Sequence, residues 1–69
     1  MENRIKEIRK KNKVTQDDLA KMVGVTRQTV ISLENGKYNA SLQLAHNLAE
    51  YFGVTIEELF IFEDNKENE

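Results

Sequence analysis

Apolar residues recur along this chain at intervals of three and four, and the rhythm breaks at a few defined places. Ile5 and Ile8 form one group, Leu19, Ala20 and Val23 a second, Val30 and Leu33 a third. Leu44, Ala45, Leu48, Ala49 and Phe52 follow, and then Ile56, Leu59 and Phe60. Each group is one face of a 3.6-residue helix, which predicts helices over about 3–12, 16–23, 27–35, 42–52 and 56–60. The breaks carry their own signals. Gly24, Gly36 and Gly53 stand where a group ends, as residues able to take the left-handed conformation that stops a helix. Thr15, Thr26, Ser41 and Thr55 stand where the next group begins, with side-chain oxygens suited to first-turn amides. Thr15-x-x-Asp18 and Thr55-x-x-Glu58 have capping-box spacing, and Val14–Leu19, Val25–Val30 and Val54–Leu59 have the spacing of hydrophobic staples. Loops are short and proline is absent. The pattern predicts one all-α bundle of five helices.

The third helix has an unusual outer face. With Val30 at the centre of the buried side and ~100° per residue, Leu33 falls beside it while Gln28, Ser32 and Asn35 point outward. Arg27 and Thr29 flank Gln28 in the first turn. A merely solvated face usually holds Lys and Glu at several outward positions, and this one offers amides and a hydroxyl instead. Gln can pair bidentately with adenine, Arg with guanine, and a Thr methyl can meet a thymine methyl. Glu34 lies ~40° from Val30 and leans inward. A half-buried carboxylate requires a partner, and Arg9, at the same angle to Ile5 on the first helix, is the expected one. Arg9–Glu34 is read as a structural ion pair.

Charge first argues against a nucleic-acid partner and then for one. The chain holds 10 Lys and Arg against 12 Asp and Glu, a net charge of −2. Residues 1–37 contain nine of the cations and five acids, leaving +4, while residues 38–69 contain one cation and seven acids, leaving −6. A protein with one polyanion-facing side shows such a split. Without Cys there is neither a disulfide nor a thiolate metal site, and the single His46 falls on the outside of the fourth helix. No metal or other cofactor is expected. Asp17 and Asp18 sit in the first turn of the second helix, where acids favour the dipole, and are read that way and not as a catalytic pair. No nucleophile–base pair or phosphate loop occurs, so an enzyme is not expected. The longest apolar run, Leu59-Phe60-Ile61-Phe62, is too short for a membrane span, and no signal peptide is evident. A single soluble, cytoplasmic domain over residues 1–69 is the expectation.

The stretch TQDDLAKMVGVTRQTVISLENGKYNASL resembles the Cro/phage-repressor-type helix-turn-helix family, also called the xenobiotic-response-element family. Thr15-Gln16, Leu19-Ala20, Gly24-Val25, Arg27-Gln28-Thr29, Glu34-Asn35-Gly36-Lys37 and Ser41-Leu42 carry the resemblance, which spans roughly residues 4–60. Ala40 departs from the Pro common in relatives, and Ile31 from a small polar residue. The resemblance implies a compact five-helix lambda-repressor-like DNA-binding domain with its motif at 16–35. It implies double-stranded DNA as partner, with Arg27, Gln28 and Ser32 nearest base edges in the major groove. Gln16 would bond a phosphate beside the amides of its helix. Thr29, Asn35, Lys37, Tyr38 and Asn39 would hold the DNA backbone on the far side.

The tail adds a second expectation. Phe60, Ile61 and Phe62 supply more apolar bulk than a bundle of this size needs, and their alternation suits a short extended segment at 60–69 that ends in acidic residues. They are read as the interface of a homodimer, which would set two third helices one DNA turn apart on a palindromic operator. A repressor with no attached sensor domain and no small-molecule effector follows. The competing reading is a protein-interaction module, such as an antitoxin, whose acidic half engages a protein partner.

Overall fold

Four hydroxyl residues start four helices, as their spacing predicts. Thr15 Oγ1 accepts from the amide of Asp18, Thr26 from Thr29, Ser41 from Leu44 and Thr55 from Glu58. These caps open α2 (Gln16–Val23), α3 (Arg27–Glu34), α4 (Leu42–Phe52) and α5 (Ile56–Leu59), which follow α1 (Ile5–Lys11) in this computed structural model. The structure describes residues 2–61. At Thr55 the capping box is complete, with Glu58 Oε1 accepting from the Thr55 amide at 2.7 Å. Asp18, one methylene shorter, forms only the first half of the box with Thr15.

Helices α1 to α4 end on a common device. An amide two or three residues past the helix donates back to a carbonyl one turn inside: Val14 to Arg9, Val25 to Ala20, Lys37 to Ser32 and Val54 to Ala49, at 2.9–3.1 Å. The residue between must be left-handed, and Gly24, Gly36 and Gly53 are. At the end of α1 the same place is held by Lys13, at φ 60°. A side chain there costs about 1–2 kcal/mol, so α1 closes under strain that the glycines avoid elsewhere. Val14, Val25 and Val54 each do two jobs, closing one helix and packing on the core just ahead of the next cap.

The core draws on every helix. Ile5, Leu19, Val30, Leu33, Leu48 and Leu59 are fully buried, with Ala20, Val23, Leu44, Ala45, Ala49 and Phe60 nearly so. Each large aliphatic side chain contributes about 1.5–3 kcal/mol relative to leaving it in water. Helices α2 and α3 make the most extensive helix contact in the fold, and the small Ala20 of α2 is buried. Ile8, Phe52 and Ile56, expected in the core, are half-buried at its rim.

The ends of the bundle differ most from the pattern. α1 begins at Ile5 and not at residue 3, and α5 stops at Leu59. Asn3 and Phe60 instead form an antiparallel bridge, reinforced by Arg4 N–H to Leu59 O at 2.7 Å and Ile61 N–H to Glu2 O at 2.9 Å. Phe60 takes extended dihedrals (φ −114°, ψ 137°), which turn its ring into the core.

Candidate nucleic-acid interface

Helix α3 is held from within and left open without. Val30 and Leu33 anchor it in the core, and Thr26 fixes its first turn. Arg27, Gln28 and Asn35 are exposed, while Ser32 and Thr29 are half-buried beside them. The Thr29 hydroxyl lies 3.0 Å from that of Thr26, so the cap orients it. Past the helix, Lys37, Tyr38 and Asn39 are exposed on the loop leading to α4.

The acid on this helix is taken out of the outer face. Arg9 Nε donates to Glu34 Oε2 at 2.6 Å, and their side chains are only 10% and 3% exposed. Arg9 Nη1 donates to the Val14 carbonyl at 2.9 Å, tying the pair to the turn after α1. The predicted pairing of these residues is present. Gln16 joins them, its Nε2 donating to Glu34 Oε1 at 3.0 Å. A carboxamide nitrogen has two N–H groups, so one remains for a ligand at the N-terminus of α2.

A second arginine leans the other way. Arg27 Nε stands 3.9 Å from Asp17 Oδ1, with the two side chains 63% and 64% exposed. They share an open groove with Lys6 and Lys10 of α1 and Gln16 of α2. Position along the chain relates Arg27 to base edges and Asp17 to the dipole of α2, and does not place α1 on this side. The lysines' spacing, four apart on one helical face, was the available signal.

Asn3 holds two elements together with no mark in the sequence pattern. Its Nδ2 donates to the Leu33 carbonyl at 2.7 Å and its Oδ1 accepts from the Ile5 amide at 3.1 Å. One side chain thus starts α1 and braces the last turn of α3. Nothing in periodicity marks such a residue.

Of the three tail residues assigned to a dimer interface, Phe60 is 4% exposed inside its own chain and is a core residue here. Ile61 faces outward at 37% exposure, and Phe62 lies outside the described residues. His46 is exposed, with Nε2 3.6 Å from Glu50 Oε1. Among the described residues, no group of three or more His, Cys, Asp or Glu could hold a metal, and no helix is long and apolar enough to cross a membrane.

The sequence profile of the helix-turn-helix family matches residues 5–59. The chain is 52% identical over 66 residues to a helix-turn-helix-type transcriptional regulator of Methanocaldococcus jannaschii, covering 96% of this chain and 100% of that protein. It is 30% identical to the cryptic phage CTXphi transcriptional repressor RstR of Vibrio cholerae, over 83% of this chain and 51% of that one. Among solved structures, the restriction-modification controller protein C.AhdI from Aeromonas hydrophila superimposes with a TM-score of 0.76 at 33% identity, over 83% of this chain and 86% of that chain. These relatives are regulators and not enzymes. The chain belongs to the helix-turn-helix family of the Cro and phage-repressor type, and is a transcriptional regulator with a DNA-binding fold.

Proposed function

We propose that this regulator is a repressor that lays α3 in the major groove of double-stranded DNA and acts as a homodimer on a palindromic operator. The observation that carries the reading is the outer face of α3. Arg27, Gln28 and Asn35 are exposed there, while Glu34, the helix's only acid, is drawn inward by Arg9. A helix that hides its one acid and presents amides, a hydroxyl and a guanidinium suits base edges and phosphates.

Arg27, Gln28 and Ser32 read bases in this proposal. Gln16, through its second N–H, and Thr29, Asn35, Lys37, Tyr38 and Asn39 hold the sugar–phosphate backbone. Exposed Ile61, with Phe62 beyond it, joins two copies, and Phe60 supports the segment from inside. Two α3 helices ~34 Å apart then meet successive turns of the same groove face. Repression is supported by the similarity to RstR, which is named a repressor.

Selecting bound duplexes from a random library tests the whole reading. A palindromic consensus with half-sites one helical turn apart is the expected result. Absence of any duplex binding at ~50 mM salt refutes it, because phosphate contacts are strongest at low salt. Against the selected site, Gln28→Ala is expected to lose about 1–3 kcal/mol and relax one base pair, whereas Lys37→Ala weakens all sequences alike.

A further inference from the structure

Resting on the reading of α3 as the DNA-facing helix, we propose that the DNA-binding surface extends beyond the helix-turn-helix onto α1. Lys6 and Lys10 seat a backbone phosphate of double-stranded DNA on the N-terminal side of α3, beside Arg27, which keeps its place at the base edges. Asp17 is the counter-charge that this phosphate displaces.

The groove is polar and open. Lys6 and Lys10 line one wall, and Gln16, Asp17 and Arg27 line the other. Arg9 also borders it, but its guanidinium is already engaged by Glu34 and the Val14 carbonyl. The uncommitted charges facing the groove are therefore two ammonium groups and the Arg27 guanidinium, against the single Asp17 carboxylate at 3.9 Å. An ion pair this long and this exposed is weak, so Arg27 leaves it readily for a base edge and Asp17 yields its place to the phosphate. The groove lacks the apolar lining by which small-molecule pockets hold their ligands.

Its position selects the anion. Gln16 and Arg27 are the first residues of α2 and α3, so the groove opens at the start of α3. Lys37 and Tyr38 follow the other end of the same helix. Two sets of donors thus straddle α3, as the two backbones flanking a major groove ~12 Å wide require. A free anion has no need of this straddling arrangement, and a duplex does.

The test compares two charge-matched double variants on a mixed-sequence duplex about two helical turns long, between ~50 and ~200 mM salt. Lys6→Gln/Lys10→Gln removes the groove cations. Arg4→Gln/Lys11→Gln removes two cations from the other side of α1, beside Phe52 and Glu58. All four side chains are exposed, and thermal melts confirm that both variants fold. The expected result is a slope of log affinity against log salt shallower by about 1 for the groove variant, as loss of one phosphate contact requires, with a much smaller change for its control. Asp17→Asn is expected to tighten binding to every duplex alike. Equal slope changes in the two double variants, no change in the groove variant, or weaker binding by Asp17→Asn would each overturn the proposal while leaving α3 as the reading element. Inorganic phosphate at matched ionic strength that shifts the Lys6 and Lys10 resonances as strongly as duplex does would assign the groove to a free anion. Wild-type protein that binds no duplex removes the DNA reading itself, and this inference with it.

Discussion

Two arginine–carboxylate pairs flank α3, and they share chemistry but little else. Arg9 and Glu34 meet at 2.6 Å with side chains 10% and 3% exposed, whereas Arg27 and Asp17 stand 3.9 Å apart with more than three-fifths of each side chain in water. The first pair is joined by Gln16 and the Val14 carbonyl, so all three guanidinium nitrogens and both carboxylate oxygens are engaged within the fold. The second is held by nothing but its own weak attraction. Burial decides the difference. A charge removed from water needs permanent partners, while an exposed one keeps its hydration and can exchange partners. The inner pair therefore sets where α3 lies, and the outer pair leaves its arginine available.

The largest expected effect breaks the inner pair. Glu34→Ala leaves the Arg9 guanidinium, in a residue 8% exposed, without its counter-ion, at a cost of about 3–5 kcal/mol. For a domain this small that approaches the whole stability, and Tm is expected to fall by more than about 12 °C. Asp17→Asn in the same melting experiment should stay within about 1 kcal/mol of wild type. Similar losses from the two substitutions would show that burial does not separate the pairs.

A smaller effect concerns the same, C-terminal end of α3. Asn3→Ala removes the bonds to the Leu33 carbonyl and the Ile5 amide, which should cost about 1–2 kcal/mol in denaturant unfolding. It should also speed hydrogen exchange in the last turn of α3 more than in its first. Uniform exchange along the helix would mean that Arg9 and Glu34 hold it unaided.

The smallest effect is a gain. Lys13→Gly relieves the left-handed strain beside the Val14 carbonyl on which Arg9 rests, and should stabilise by about 0.5–1 kcal/mol, net of glycine's greater unfolded-state entropy. A loss of stability would show that the turn after α1 is not strained.

Much of this was legible without coordinates, for a local reason. Caps and staples act between residues three to five apart, and the apolar stripe of α4 repeats over two turns while those of α2 and α3 recur within about one. Thr15, Thr26, Ser41 and Thr55 therefore announce helix starts, and Gly24, Gly36 and Gly53 announce stops, from neighbouring residues alone. Arg9–Glu34 was within reach because each residue lies at the same angle to its own helix's core face. Helix number, the fully buried residues of the core and the inward turn of Glu34 were thus determined by the order of residues.

What only the tertiary structure decided depends on elements distant in sequence. The bridge of Asn3 with Phe60 joins residues 57 apart in sequence, and in it Phe60 is extended, not helical, yet still in the core. Asn3 reaches Leu33 across 30 residues, and Gln16 reaches Glu34 across 18, at distances no local pattern encodes. Lys6 and Lys10 share a groove with Arg27 only because α1 packs alongside the starts of α2 and α3. Periodicity tells which side of a helix faces inward. Which outward sides lie next to one another is settled by how the helices cross.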